Sequence, residues 1–182
     1  MTRNRPPRIV VVTGAESTGK SVLTRELATT FNAPFFPEYA REYLEKKNHP
    51  YTREEVLHIA REQVTQMTQA LASGEAWYFF DTWLIITKVW MEVVYGEAPG
   101  FITRALESLP VDLYLLCAPD IPWIPDPLRE NGGDRRIRLS EIYLRHIEES
   151  GTPYGIVTGT GAERTAHALQ IIREKMGMAE TV

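Results

Sequence analysis

Residues 14–21 read Gly-Ala-Glu-Ser-Thr-Gly-Lys-Ser and fit G-x-x-x-x-G-K-[ST], the phosphate-binding loop. The apolar run at 9–12 precedes it and a helix-like segment at 22–31 follows, the strand-loop-helix context that gives the motif meaning. In that context the backbone N–H groups of Gly14, Ala15, Glu16, Ser17, Thr18 and Gly19, with the following helix N-terminus, form an anion site. Lys20 adds a charge that reaches β- and γ-phosphates, and the Ser21 hydroxyl is placed to coordinate Mg²⁺. A glycine turn that merely caps a helix is the plainer alternative. The full motif in full context favours a nucleoside triphosphate.

This loop also constrains the fold. Short apolar runs at 9–12, 34–36, 77–80, 113–117 and 154–157 alternate with helical patterns at 21–31, 52–73, 83–95, 101–109, 138–149 and 162–176. Thr52-Arg-Glu-Glu55 is a capping box that opens the second of these helices. The first, fourth and fifth runs are continuously apolar, as strands covered on both faces must be. The expectation is an α/β fold of P-loop NTPase type, a five-stranded parallel sheet flanked by helices, with a lid segment. Residues 1–7 are expected to be a disordered lead-in, and 8–178 a single kinase-like domain whose lid spans about 119–138. Neither repeats nor an interdomain linker interrupt the pattern.

Composition narrows the partners. A net charge of −4 guarantees no broad basic surface, which argues against a nucleic-acid footprint. No apolar run approaches the length of a membrane span, and the N-terminus shows no signal-peptide cleavage pattern. Cys117 is the single cysteine and lies inside an apolar run, so no intramolecular disulfide is possible. His49, His58, His146 and His167 show no ligand spacing for a transition metal. A cytoplasmic protein is expected, without nucleic-acid or membrane partners.

In open α/β sheets ligands bind beyond the carboxyl ends of the strands, so residues there carry the candidate chemistry. Asp81 ends the third apolar run in the Walker-B manner and can hold Mg²⁺ opposite Ser21; it can also cap the helix behind it. Glu38 follows the second strand, where an acceptor would meet the γ-phosphate, and can take a hydroxyl proton or simply favour a helix start. Arg41, three residues on, shares its helical face. It is equally open to pairing with Glu38, contacting phosphate or remaining solvated. The segment 119–138 is the longest without periodicity, and such loops are usually functional. Its Arg135, Arg136 and Arg138 are candidates to stabilise charge on a transferring phosphoryl group, or a basic stretch leading into the next helix. Trp123 is either a packing anchor or a stacking surface for a flat substrate, with Asp120 or Asp126 at its polar groups. Thr158-Gly-Thr-Gly161 is a weak glycine-rich signal, equally a plain turn.

Taken together, these residues resemble the ribosylnicotinamide kinase domain of the NadR-type proteins of NAD salvage. The resemblance rests on the P-loop, Glu38-Tyr-Ala-Arg-Glu-Tyr43, Phe80-Asp-Thr82, Leu113-Tyr-Leu-Leu116, Asp120-Ile-Pro-Trp123 and the arginines after the glycine pair, and spans Arg8 to about Met176. It implies phosphorylation of the 5′-hydroxyl of nicotinamide riboside by Mg-ATP. Lys20 and Ser21 would serve ATP and Mg²⁺, and Asp81 the metal. Glu38 and Arg41 would serve the substrate, with Trp123 and Asp126 in a pocket where a cationic ring gains from the indole face. Family members carry a nucleotidyltransferase domain before the kinase. This sequence starts seven residues before its first strand, so a standalone module is expected, with another nucleoside or small metabolite, or a non-catalytic nucleotide switch, as alternatives.

Overall fold

The computed structural model describes residues 6–129 and 131–177. The expected lead-in at 1–7 therefore lies outside the described residues except for Pro6 and Pro7, as does position 178. Twelve elements follow in order: β1 (Arg8–Thr13), α1 (Lys20–Thr30), β2 (Phe35–Phe36), α2 (Tyr39–Leu44), α3 (Arg53–Ala72), β3 (Trp77–Asp81), α4 (Leu84–Tyr95), α5 (Gly100–Ser108), β4 (Leu113–Cys117), α6 (Asp134–Ser150), β5 (Tyr154–Val157) and α7 (Gly161–Met176).

The five strands form one parallel sheet in the order β2-β3-β1-β4-β5. Its two faces bury separate apolar sets, because side chains alternate along each strand. Val10, Val12, Phe79, Leu115, Cys117 and Val157 pack beneath Leu23 and Leu27 of α1 and Ile172 of α7. Ile9, Val11, Phe80, Tyr114 and Leu116 pack on the other side, against residues of α3, α4, α5 and α6. Strands covered on both faces have no polar alternation to display, which explains the apolar runs of β1 and β4; the expectation fails for β5, an edge strand whose Ile156 is exposed. The Thr52–Glu55 capping box forms as expected, with the Glu55 N–H donating to Thr52 Oγ1 at 3.3 Å and the Thr52 N–H to Glu55 Oε2 at 2.9 Å.

Register places the chemistry. Val12 lies opposite Asp81, and the Thr82 N–H donates to Val12 O at 2.8 Å, so the end of β3 sits beside the start of the P-loop.

Two expectations need correction. The helix α2 is not resolved by sequence pattern, since it has six residues and buries none of them fully. The helix α6 begins at Asp134 and not at 138, so the expected lid at 119–138 ends in a helical turn that contains Arg135, Arg136 and Arg138. Its inward positions are Arg136, Tyr143 and Ile147. An arginine at the first inward position hides the apolar period that would have marked the helix start.

The edge strand β5 meets α7 without room to spare. A Cβ added to Gly155 would lie 2.4 Å from Ile171 Cγ2. Gly155→Ala should therefore destabilise the protein by about 1–3 kcal/mol through overpacking. Urea unfolding checks this, and adding Ile171→Val should recover part of the loss.

Candidate functional site

The chain leaves β1 and turns sharply into α1. Gly14 has φ +140°, and a Cβ there would lie 2.8 Å from the Cys117 carbonyl oxygen of β4, so only glycine lets the loop pass this close. Ser17 and Gly19 also have positive φ, +56° and +76°. Thr18 Oγ1 donates to Ala15 O at 2.8 Å, and Lys20 Nζ donates to the same oxygen at 2.9 Å. Gly19 caps α1 with no side chain, which leaves the first N–H groups of the helix for an anion.

Asp81 is buried and its Oδ1 has no hydrogen-bond partner among the described residues. Burial pushes its carboxyl up from 3.8 to about 6; Glu38 adds to the rise, while Lys20, Ser21 and Arg25 oppose it. Four of the expected residues, Lys20, Ser21, Glu38 and Asp81, therefore share one corner. A buried carboxylate with an orphaned oxygen beside a hydroxyl fits a hard divalent cation. Among the described residues no cluster of three or more His, Cys, Asp or Glu side chains is present, so further ligands would have to be phosphate oxygens and water.

Asp81 does not cap the next helix. The N-cap position of α4 is Trp83, which makes no side-chain cap bond. Between them Thr82 sits at φ +63°, where a β-branched residue is strained. The Thr82–Val12 bond on one side and the buried Trp83 on the other hold it there, with Trp83 Nε1 donating to Gln63 O at 3.4 Å.

Glu38 is the N-cap residue of α2 and makes no side-chain cap bond. Among the described residues its carboxylate has no hydrogen-bond or ion-pair partner, although it is half-buried. Arg41 does not pair with it. The Arg41 guanidinium binds Asp126 Oδ2 at 2.7 Å and Glu45 Oε1 at 2.9 Å, and its bond to Asp126 favours the charged form. Against the burial that would raise it, Arg41, the Leu128 N–H and Arg129 hold the Asp126 carboxyl below the usual range. The helix α2 itself leans on α3, where Tyr39 Oη and His58 Nε2 are 2.9 Å apart.

The segment after β4 is fastened to the P-loop. Glu16 accepts from the Asn131 N–H at 2.9 Å and from Asn131 Nδ2 at 2.8 Å. Ser17 Oγ donates to Pro122 O at 3.3 Å and accepts from the Ile124 N–H at 3.0 Å. Arg136 is buried and donates to Ser17 O at 2.8 Å and Ile121 O at 2.9 Å, so it is a pin between loop and lid and not a free lid cation. Arg135 and Arg138 are exposed. Trp123 is half-buried, its ring lies against Gly132, and its Nε1 has no partner among the described residues.

Two residues missed in the sequence belong here. Arg164, buried in the first turn of α7, binds Asp120 Oδ1 and Ala118 O, both at 2.8 Å, and Gly159 O. Against burial, Arg164 and the Gly159 N–H hold the Asp120 carboxyl below its usual value. Asp120 is therefore tied into the turn after β5. Tyr143 of α6 is buried. Burial raises its pKa, with Glu16 and Glu38 adding to the effect, so it faces the same corner. In the sequence Arg164 looks like a surface helix charge and Tyr143 like core, and no spacing marks either.

The family described as AAA domain matches residues 9–164. The trifunctional NAD biosynthesis/regulator protein NadR of Escherichia coli (strain K12) is 26% identical over 93% of this chain and 43% of its own length. NadR of Salmonella typhimurium (strain LT2) is 25% identical over 93% of this chain and 43% of its own. The chain thus spans less than half the length of these relatives. A solved NadR structure in complex with NR superposes with a TM-score of 0.80, at 26% identity, over 97% of this chain and 54% of that one. A second, with NAD and AMP-PNP, gives 0.76 at 24% identity, over 99% and 52%, and shows the fold. The chain is homologous to NadR in this region, and its sheet and helices are those of the P-loop NTPase fold. Among the described residues no helix is long and apolar enough to cross a membrane.

The Asp81 carboxyl has a consequence for the metal-free, nucleotide-free protein. Its folded-state pKa is raised, so its contribution to stability is full below about 4 and is lost as pH rises through about 6. Asp81→Asn should remove this loss and raise the unfolding free energy at pH 7–8 by at most about 3 kcal/mol. Urea titrations of both proteins in EDTA from pH 4 to pH 8 give the measurement, and curves that stay parallel through the interval from about 4 to about 6 would contradict the assignment.

Proposed function

Because the chain belongs to the AAA domain family, with NadR among its relatives, we propose that it is a P-loop small-molecule kinase. It transfers the γ-phosphoryl group of ATP to the 5′-hydroxyl of nicotinamide riboside, giving nicotinamide mononucleotide and ADP. The corner where unclaimed Glu38 faces buried Asp81 beside Lys20 and Ser21 carries this reading. A nucleotide switch has no need of a carboxylate without a partner on the acceptor side of the loop. The NR complex of a NadR protein that covers 97% of this chain supports the choice of acceptor.

The residues divide the work by environment. Backbone N–H groups of 14–20 hold the β-phosphate, and Lys20 Nζ exchanges Ala15 O for phosphate oxygens. Ser21 and Asp81 would hold Mg²⁺, which supplies charge neutralisation on the phosphates when bound. Asp81, the more deeply buried and harder to ionise alone, suits the cation. Glu38 takes the proton of the attacking hydroxyl as the new O–P bond forms and the bond to ADP breaks. Arg135 and Arg138, exposed at the head of α6, are the arginines left for negative charge, since Arg136 is engaged. Trp123 offers its indole to the cationic ring, and Asp126, fixed by Arg41, borders the same side.

ADP release from Mg-ATP, with and without nicotinamide riboside and beside a panel of common nucleosides, tests the proposal. Nicotinamide riboside should stimulate release strongly, and Lys20→Ala should abolish it. Glu38→Gln should lower kcat by roughly 10²–10⁴ while nucleotide affinity changes little. Stimulation by a different nucleoside would keep the mechanism and replace the acceptor. Nucleotide binding without any acceptor effect would overturn the kinase reading.

A further inference from the structure

The P-loop motif leaves four positions unspecified, and two of them carry contacts unrelated to phosphate. Glu16 presents both carboxylate oxygens to Asn131, one to its N–H and one to its side-chain amide. Ser17 is held at φ +56°, and its hydroxyl bonds both Pro122 O and the Ile124 N–H, the residues flanking Trp123. The Ser17 carbonyl takes Arg136 from the head of α6. Every one of these bonds joins groups more than a hundred residues apart in sequence. Together they seize the segment 121–131 at both ends and at its middle.

Among the described residues the segment has one other long-range polar contact, the Arg41–Asp126 pair. Ile124 is exposed, Trp123 is half-buried, and the Arg41–Asp126 pair is partly exposed to solvent, where ion pairs contribute little. Its position is therefore set by the side chains of Glu16 and Ser17 and, through Arg136, by the Ser17 carbonyl. The backbone of the same two residues would supply N–H groups to the nucleotide.

We propose that Glu16 and Ser17 are positioning residues that fix the Trp123–Asp126 segment to the phosphate loop, so that nucleotide binding organises the acceptor side of the site. The nucleotide and acceptor then bind with positive coupling, which linkage makes reciprocal. This rests on the kinase reading only for the identity of what the segment contacts; the latch itself is a property of the folded chain.

The test has one arm that needs no activity. Amide hydrogen exchange of Ile124 and Asn131 is measured with and without AMP-PNP and Mg²⁺ in the wild type, Ser17→Ala and Asn131→Asp. Asn131→Asp sets a second carboxylate against Glu16. Exchange at Ile124 and Asn131 should slow on adding nucleotide to the wild type and be about tenfold faster at the affected amide in each variant, in line with losing one hydrogen bond. Adding Glu16→Gln to Asn131→Asp restores a donor–acceptor pair and should restore protection. In the second arm the variants raise KM for the acceptor about tenfold while the Kd for AMP-PNP measured without acceptor changes much less, and the double variant recovers. Exchange that ignores both nucleotide and the substitutions overturns the latch. Altered exchange with no acceptor-dependent turnover in the wild type sustains the latch and sinks the kinase reading. A rise in KM for ATP alone overturns the coupling.

Discussion

The constraint on which this structure depends is the turn at Gly14. A central strand, buried on both faces, must pass into a helix within seven residues and still leave its amide groups unclaimed. Passing within contact of the Cys117 carbonyl is possible only without a Cβ, and the left-handed geometry at Ser17 and Gly19 keeps the loop wrapped. The internal bonds of the loop converge on one oxygen, Ala15 O, which takes both Thr18 and Lys20. A loop so shaped cannot stabilise itself with regular backbone bonds. Its outer residues must be held by neighbours, which is where β4, α7 and the lid enter.

The electrostatics follow from that placement. Because Val12 pairs with Asp81, the register of two central strands delivers a carboxylate to the foot of the loop. There it is too buried to ionise at its ordinary pKa and too polar to be inert. The chain accepts a strained Thr82 to aim it, with Trp83 driven into the core as the counterweight. Burying an aromatic of that size contributes a few kcal/mol, enough to hold a residue whose conformation costs about 1–3. Strain, an orphaned oxygen and a raised carboxyl coincide at a single position.

What could be read in the sequence was what local chemistry dictates. The P-loop, the acid that ends β3 and the apolar central strands each announce themselves within a few neighbouring residues, and a parallel sheet follows from alternating elements, although its strand order does not. The surroundings of Glu38 and Trp123 were less legible. Arg136 has the look of one more member of a basic run, yet a single inward position separates it from Arg135 and Arg138, and its partners are carbonyls 15 and 119 residues away. Arg41 was open to Glu38, phosphate or solvent, and it takes Glu45 one turn on and Asp126, 85 residues distant. Asn131 and Arg164 carry no pattern at all, because the bonds they make depend on loops that no periodicity describes. The short helix α2 was legible only as the face shared by Glu38 and Arg41: it buries no residue fully and so imposes no apolar period.

The two halves of the site are thus held by different physics. Sheet register and core packing fix the phosphate side, and these tolerate wide substitution among apolar residues so long as volume and pattern persist. That tolerance fits a fold retained at 26% identity over 97% of the chain. On the other side a six-residue helix leans on α3 through Tyr39 and His58, one half-exposed ion pair joins it to the segment after β4, and that segment is tied to the outer residues of the phosphate loop. Contacts of that kind can be exchanged a few at a time without touching the core. A chain built this way can therefore exchange contacts on that side while the P-loop stays in place, and tying the segment after β4 to the loop lets the half supported by the core set the geometry of the other.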